Sequence, residues 1–330
     1  MSVLVTGGGG YIGSHMVLAL LEAGEKVVVI DILSTGFRWA ISPEATFYKG
    51  DISDKTLLEH VHRNEKIDTI IHFAGSAIVP ASVADPLTYY ENNTSKSRSL
   101  IEFAIFSGIK HFVFSSTAAV YGTSATERPV PETTELRPAS PYGRSKLMTE
   151  MMLSDSSAAH NFNYVALRYF NVAGADPKGR TGQSTADATH LIKVAVETAL
   201  GKRSRVTVFG TNYPTPDGTC IRDYIHVTDL VGAHLKALDY LRRGNASLIA
   251  NCGYGRGYSV MEVVKAVKST VGWDFPVLFG DRRPGDAATV VSDTTLIREK
   301  IGWVPKYDDL EFIVETALEW ERHLARRYNM

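Results

Sequence analysis

The chain has 330 residues, 44% hydrophobic and 22% charged, with a formal net charge of −1. That length holds one large domain or two ordinary ones around a real core, and the balance excludes a disordered chain. A charge so near zero supplies no field to hold nucleic acid or a membrane surface, so neither is expected as a partner.

No apolar run reaches the ~18 residues of a membrane helix. An apparent strand opens at Ser2, leaving no room for a leader, so a cytoplasmic protein is expected. The two cysteines, Cys220 and Cys252, read as reduced thiols, with a single disulfide as the alternative.

In chain order, the apolar run Ser2–Thr6 reads as a strand that stops at glycines. Helical spacing of Ile12, Met16, Leu20 and Leu21 predicts a helix over Gly13–Ala23. Lys26–Asp31 reads as a buried strand, and a third segment ends at Gly50-Asp51. Ile67–Phe73, His111–Ser115 and Val165–Arg168 read as further strands, with a helix at Ser95–Ser107. Apolar strands separated by helices predict an α/β fold with a Rossmann-type, doubly wound parallel sheet, its ligand crevice at the carboxyl ends of the strands. After about Asn171 the rhythm changes. Gly174–Asp187 and Asn212–Thr219 read as long loops, with short strands at Val206–Phe209 and Leu248–Asn251. The expected division is a cofactor domain over 1–172, joined by a returning segment at about 222–251, and a smaller mixed α/β substrate domain over 173–330.

Thr6-Gly7-Gly8-Gly9-Gly10-Tyr11-Ile12-Gly13 joins the first strand to the first helix. Glycines there admit a tight turn and let a pyrophosphate approach bare backbone at the positive end of a helix. Two registers fit, Gly7/Gly10/Gly13 and Gly8/Gly10/Gly13. Asp31 ends the second strand 18 residues after Gly13, where a carboxylate binds ribose hydroxyls and repels a 2′-phosphate. The cofactor expected is therefore NAD. Asp51 is a candidate acceptor for the adenine amino group, a turn aspartate being the plainer reading.

Ser140-Pro141-Tyr142-Gly143-Arg144-Ser145-Lys146 reads as a helix start, with Ser140 as cap and proline in the first turn. Tyr142 and Lys146 then stack on one face at i and i+4. Of fifteen tyrosines this alone has lysine four residues on. A tyrosine near pKa ~10 needs a shift of about three units, or ~4 kcal/mol, to serve as a base at neutral pH. An ammonium ~4 Å away supplies roughly that much. Thr117, or Ser116 beside it, is placed to bond the reacting oxygen. The plainer alternative is an incidental contact on a surface helix.

Together these segments resemble the extended short-chain dehydrogenase/reductase family, and within it the 4-epimerases of nucleotide sugars. The match runs from Thr6–His15 and Asp31 through Gly50-Asp51-Ile52, His72-Phe73-Ala74-Gly75, Asn92-Asn93 and Phe114–Thr117. It continues through Pro141–Lys146, Arg168–Asn171, Asp217-Gly218-Thr219, Arg222–Val227 and Arg283-Pro284-Gly285-Asp286. The resemblance implies reversible C4 epimerisation of a UDP-hexose, glucose to galactose, through a 4-keto sugar, with NAD retained. It implies catalytic roles for Tyr142, Lys146 and Thr117. Cofactor contacts fall to Gly7, Gly10, Tyr11, Ile12, Gly13, Asp31, Asp51, Ile52, Phe73, Ala74, Gly75, Asn92, Ser115 and Phe170, together with Tyr142 and Lys146. The UDP-sugar falls to Thr117, Asn171, His190, Leu191, Thr207, Phe209, Arg222, Tyr224, Arg283 and Asp286. The arginines hold the diphosphate, Phe209 faces uracil and Asp286 a ribose hydroxyl. A homodimer through Ser95–Ser107 and the helix carrying Tyr142 is implied as well.

Ile32 and Ala77 depart from the family pattern beside the cofactor, and Val290 is small where a bulky tyrosine restricts some members to glucose and galactose. UDP-N-acetylhexosamines and UDP-pentoses thus stay open as substrates. A 4,6-dehydratase needs an acid and a base after the threonine, where this chain has Ala118 and Ala119, and no glutamate marks a decarboxylase there. An NAD-sensing scaffold is disfavoured because tyrosine and lysine are both intact. No His-Glu-x-x-His motif or Cys/His cluster suggests a metal, and no Gly-Lys-Ser/Thr suggests a kinase.

Overall fold

A computed structural model describes residues 1–122, 129–186, 188–283 and 285–328. Asp187, at the end of one expected loop, and Pro284, within the Arg283–Asp286 motif, lie outside the described residues.

Seven parallel strands make the central sheet: β1 Ser2–Thr6, β2 Val27–Asp31, β3 Thr46–Lys49, β4 Ile67–His72, β5 His111–Thr117, β6 Asn163–Tyr169 and, after four shorter strands, β11 Leu248–Cys252. Their order is β11-β6-β5-β4-β1-β2-β3, so the winding reverses between β1 and β4. A reversal of this kind opens a crevice at the strands' carboxyl ends.

Both faces of the sheet are apolar, and alternation along each strand sorts the side chains. Val3, Val5, Val29, Ile71, Val113 and Val165 face one layer, with Met16, Val17 and Leu20 of α1 Tyr11–Glu22. Leu4, Val28, Ile30, Ile70, Phe112 and Phe114 face the other. That second layer holds α2 Lys55–Glu65, α5 Lys96–Phe106 and α6 Pro141–Ala159, with the short α3 Val79–Ala84 and α4 Pro86–Tyr90 against α6. Each such side chain, fully buried, contributes about 1.5–3 kcal/mol of transfer free energy.

The first helix starts two residues earlier than its spacing predicts, because Gly10 serves as N-cap and Tyr11 and Ile12 wind into the first turn. The helix expected at Ser95–Ser107 runs Lys96–Phe106 and is preceded by a wide π-turn at Glu91–Ser95.

The second half packs on the first layer. β7 Asn171–Ala173 pairs in parallel with β10 Tyr224–His226, β8 Val206–Phe209 with β13 Val277–Gly280, and β9 Ile221–Arg222 lies between β12 Tyr258–Ser259 and β14 Thr289–Val290. Helices α7 Leu191–Ala199, α8 Val227–Arg242, α9 Val260–Val271, α10 Thr295–Ile301 and α11 Leu310–Tyr328 complete it. Helix α8 packs on α1, β5 and β6, and β11 follows it into the large sheet. Among the described residues no helix is long and apolar enough to cross a membrane. Cys220 and Cys252 are both buried and free.

Candidate active site

The glycine turn is where the sequence left two registers, and the backbone chooses between them. Gly7 has φ +73°, and a Cβ there would lie 2.6 Å from the Ala74 nitrogen. A Cβ on Gly13 would lie 2.1 Å from the Gly7 oxygen. Neither obstacle can move, since both are main chain. Gly8 meets only side chains, those of Val29 and Val17. The register demanding glycine is therefore Gly7/Gly10/Gly13.

No side chain caps α1 at Gly10, and its first turn carries no acid. Its N–H groups are left for an anion. Asp31 is 8% exposed at the end of β2, with Oδ2 accepting from Gly9 N–H at 2.8 Å and Oδ1 from Leu33 N–H at 2.7 Å. A bare cradle, an uncapped helix end and a pinned carboxylate fit a dinucleotide with a free ribose diol. Phe73 and Ala74 follow β4, and Phe73 N–H donates to Thr6 O at 3.1 Å. Asp51 has its carboxylate taken up by Lys96 at 2.8 Å and by Ser53. Partial burial opposes that charge, but these partners prevail and hold it below the usual carboxylate range. Ile52 is buried in the second core layer.

At the next strand end, Ser140 Oγ accepts from Gly143 N–H at 3.2 Å and starts α6 with Pro141 in its first turn. Tyr142 and Lys146 are 7% and 5% exposed. The Thr117 hydroxyl, which accepts from Ala119 N–H at 3.1 Å, lies beside that of Tyr142. Lys146 Nζ donates to Ser115 O at 3.0 Å and lies 4.9 Å from the Phe114 ring centre. Behind Gly75, Asn93 Oδ1 accepts from Ser76 N–H at 2.7 Å and its Nδ2 donates to Ser145 Oγ at 3.0 Å. Asn92 donates to Ser76 Oγ.

The expected depression of the Tyr142 hydroxyl by Lys146 is not found. Burial pushes the tyrosine up, and the Thr117 hydrogen bond only partly opposes it. Burial likewise lowers Lys146 to about 8. The reason is geometric: the ammonium is held by strand β5 rather than aimed at its neighbour on the helix. A positive charge arriving beside Tyr142 would favour its tyrosinate.

Sequence reasoning gave no role to the layer beneath. Ser116 Oγ donates to Glu150, whose carboxylate takes Arg168 Nη2 at 2.7 Å. Arg168 donates to Tyr121 Oη at 3.1 Å, and Tyr121 donates to Asn251 Oδ1 at 2.6 Å. Ser115 Oγ donates to Tyr169 Oη at 2.8 Å. The segment Ser115–Thr117 is thus braced from below by a buried ion pair. Arg168 stood in a recognised motif, but nothing local in the sequence pairs it with Glu150.

A second group of residues faces the same crevice. Arg222 Nη2 and Arg283 Nε approach the two oxygens of Asp286 at 3.7 and 2.9 Å. The Arg283 guanidinium lies 4.9 Å from the ring centre of Phe209, which is 38% exposed at the end of β8. A Cβ on Gly285 would lie 3.9 Å from that of Ala139, three residues before Tyr142. This seats the arginine loop beside the start of α6. Thr207 sits on β8 opposite Leu278, and Tyr224 is buried on β10 opposite Asn171. Phe170 packs with Val120, Tyr121 and Val130, and Val290 lies against that cluster. His190 and Leu191 open α7, and His190 lines a small cavity with Tyr11 and Trp320. The buried phenol and the two guanidinium groups on Asp286 suit an alcohol oxidation next to an anionic diphosphate. Among the described residues no group of His, Cys, Asp and Glu could hold a metal.

Residues 3–253 match the family model described as the NAD dependent epimerase/dehydratase family. The chain is 56% identical over 324 residues to a UDP-glucose 4-epimerase of Azospirillum brasilense, covering 98% of this chain and 93% of that one. Its fold is similar to that of a UDP-glucose 4-epimerase from Brucella ovis solved in complex with NAD, with TM-score 0.93, 42% identity and coverage of 96% and 97%. It is also similar to a UDP-Glc/GlcNAc 4-epimerase from Campylobacter jejuni, with TM-score 0.85, 47% identity and coverage of 98% and 99%.

Proposed function

This chain belongs to the NAD dependent epimerase/dehydratase family, and from that premise we propose how its residues carry out the reaction. The protein is an NAD-dependent isomerase that inverts C4 of a UDP-hexose, UDP-glucose to UDP-galactose and back. The observation that carries the assignment of roles is the buried Tyr142 at the start of α6, followed one turn later by Lys146, whose ammonium is held on the end of β5 by the Ser115 carbonyl.

Tyr142 takes the proton of the sugar 4-hydroxyl, and Thr117 orients both oxygens. NAD, when bound, supplies the hydride acceptor and a cationic ring that offsets the burial now opposing a tyrosinate. Lys146 donates to the nicotinamide ribose from its seat on Ser115. The 4-keto sugar turns within the site, regains hydrogen on its other face and receives the proton back from Tyr142. Arg222 and Arg283 exchange part of their pairing with Asp286 for the diphosphate, which guanidinium grips in a fork. Asp286 is then free for a ribose hydroxyl, and Phe209 offers its face to uracil. Ala118 and Ala119 carry no acid or base, so the keto sugar is reduced rather than dehydrated.

A broader substrate range has its own support. Val290, packed against the Phe170 cluster, is a small side chain, and a small residue there accords with acceptance of an N-acetyl group. Residues 1–172 with about 222–251 serve the cofactor, and the rest of 173–330 the UDP-sugar. Two copies pair through α5 and α6, a reading supported by exposed Phe106, Met148 and Met151 on those helices. Two free buried thiols accord with work in the cytoplasm. The deciding assay offers purified protein UDP-galactose, UDP-GalNAc and UDP-xylose with no added NAD and looks for each 4-epimer. Failure to convert any of them overturns the reading.

A further inference from the structure

The C-terminal helix reaches back across the molecule to the loop that follows β2. That loop lies on the glycine turn. Phe37 N–H donates to Gly9 O at 2.9 Å, and a Cβ on Gly36 would lie 2.6 Å from the Gly9 carbonyl carbon. Two residues beyond Phe37, the Trp39 ring sits 5.1 Å from that of Phe37 and 6.1 Å from that of Trp320 on α11. The Arg327 guanidinium, also on α11, covers the Trp39 ring at 4.3 Å.

Trp320 is itself anchored. It is 3% exposed, its Nε1 donates to Ser184 Oγ at 3.1 Å, and the Gly182 backbone lies on its ring. The loop carrying Gly182 also grips α1. Tyr11 Oη donates to Gly174 O at 2.6 Å, and the Ser14 and Thr181 hydroxyls share a hydrogen bond of 2.8 Å. Lys178 and Arg180 both donate to Glu22. The strand-to-helix turn is thus held on two sides from the second half of the chain.

We propose that the stack of Trp39 on Trp320 and Arg327 is a lock that slows release of bound NAD, with Trp39 and Arg327 as positioning residues outside the chemistry. The inference rests on the cofactor reading above. An enzyme that lends a hydride to NAD and takes it back gains from a cofactor that does not leave between turnovers. Aromatic stacking and a cation over a ring hold the β2 loop down on Gly9 without touching the reacting atoms.

The test loads wild type, Trp39→Ala, Trp39→Phe and Arg327→Ala with NAD, removes free cofactor, and traps what is released with a coupled NAD-reducing dehydrogenase. Release from Trp39→Ala is expected to be about tenfold faster than from wild type. Trp39→Phe restores slow release, and Arg327→Ala falls between. UDP affinity, measured by calorimetry on the same proteins, stays within twofold, which general loosening of the fold would not allow. Release from both Trp39→Ala and Arg327→Ala within twofold of wild type overturns the lock, as does Trp39→Phe releasing as fast as Trp39→Ala. Arg327 stands on an exposed part of α11, so its variant keeps the test open should Trp39→Ala fold poorly. A wild type that never retains NAD overturns the cofactor reading and the lock together.

Discussion

Lys146 gives its ammonium to the carbonyl oxygen of Ser115 at 3.0 Å, so the end of strand β5 positions a side chain that belongs to helix α6. The lysine therefore enters the site from a rigid wall, one turn from Tyr142, and it is charged at a cost. Burial lowers its pKa from 10.5 to about 8.

That cost is measurable. Above pH 10.5 lysine is neutral in both folded and unfolded chains, and burial carries no penalty. As pH falls through 10.5 towards 8 the unfolded chain gains the proton first, so the folded state loses stability, fully by pH 8. The stability of Lys146→Met relative to wild type is expected to be higher at pH 7 than above pH 10.5 by on the order of 3 kcal/mol. Denaturant melts at pH 7, 9 and 11 check this, and a constant difference across that range would refute it. The same variant is expected to lose nearly all turnover.

Tyr142→Phe keeps the ring in its buried seat and removes only the hydroxyl. Turnover of UDP-galactose should fall about 10³-fold, within the range for losing a positioned base, while the purified variant still carries NAD. Absorbance of the released cofactor and a galactose-to-glucose assay give the two readings. An unchanged rate would remove Tyr142 from the mechanism.

Gly7→Ala and Gly13→Ala drive a methyl into main chain at 2.6 and 2.1 Å, whereas Gly8→Ala meets only the side chains of Val29 and Val17. The first two are expected to lose NAD or fold poorly, and Gly8→Ala to keep both fold and cofactor with a small drop in stability. NAD content after gel filtration and thermal melts separate them. Equal damage from all three would contradict the register.

Arg168→Met leaves the Glu150 carboxylate buried without its guanidinium. A cost of about 3–5 kcal/mol is expected, with most of it recovered in the double variant Glu150→Leu/Arg168→Met. Activity should not recover with it, because Ser116 loses its acceptor and the segment carrying Ser115 and Thr117 is no longer braced. Urea melts and kcat on the three proteins test the two halves independently.

Val290→Tyr puts a bulky side chain where a small one packs against the Phe170 cluster. Conversion of UDP-GalNAc is expected to drop at least tenfold relative to UDP-galactose, read as the ratio of the two kcat/KM values. A ratio unmoved by the substitution would detach Val290 from sugar choice.

Much of this protein is local, and what is local was legible in the sequence. Apolar runs of five or six residues between helical spacings declare strands covered on both faces. The turn from Thr6 to Gly13 and the Tyr142–Lys146 interval each lie within one short segment, where chain geometry alone puts the groups together. The start of α6 at Ser140-Pro141 is likewise a matter of neighbouring residues. The tertiary structure decided what depends on distant segments meeting. Gly7 must be glycine because the backbone of Ala74, just beyond the end of β4, passes against it. Lys146 points at Ser115 rather than at Tyr142 because β5 packs under α6. Glu150 finds Arg168, and Trp39 finds Trp320 some 280 positions away, only because the sheet and the C-terminal helix close around one core. Periodicity and spacing report neighbours along the chain. Partners across the core are set by packing and by the requirement that buried charges and hydrogen-bonding groups be matched, which no single segment encodes.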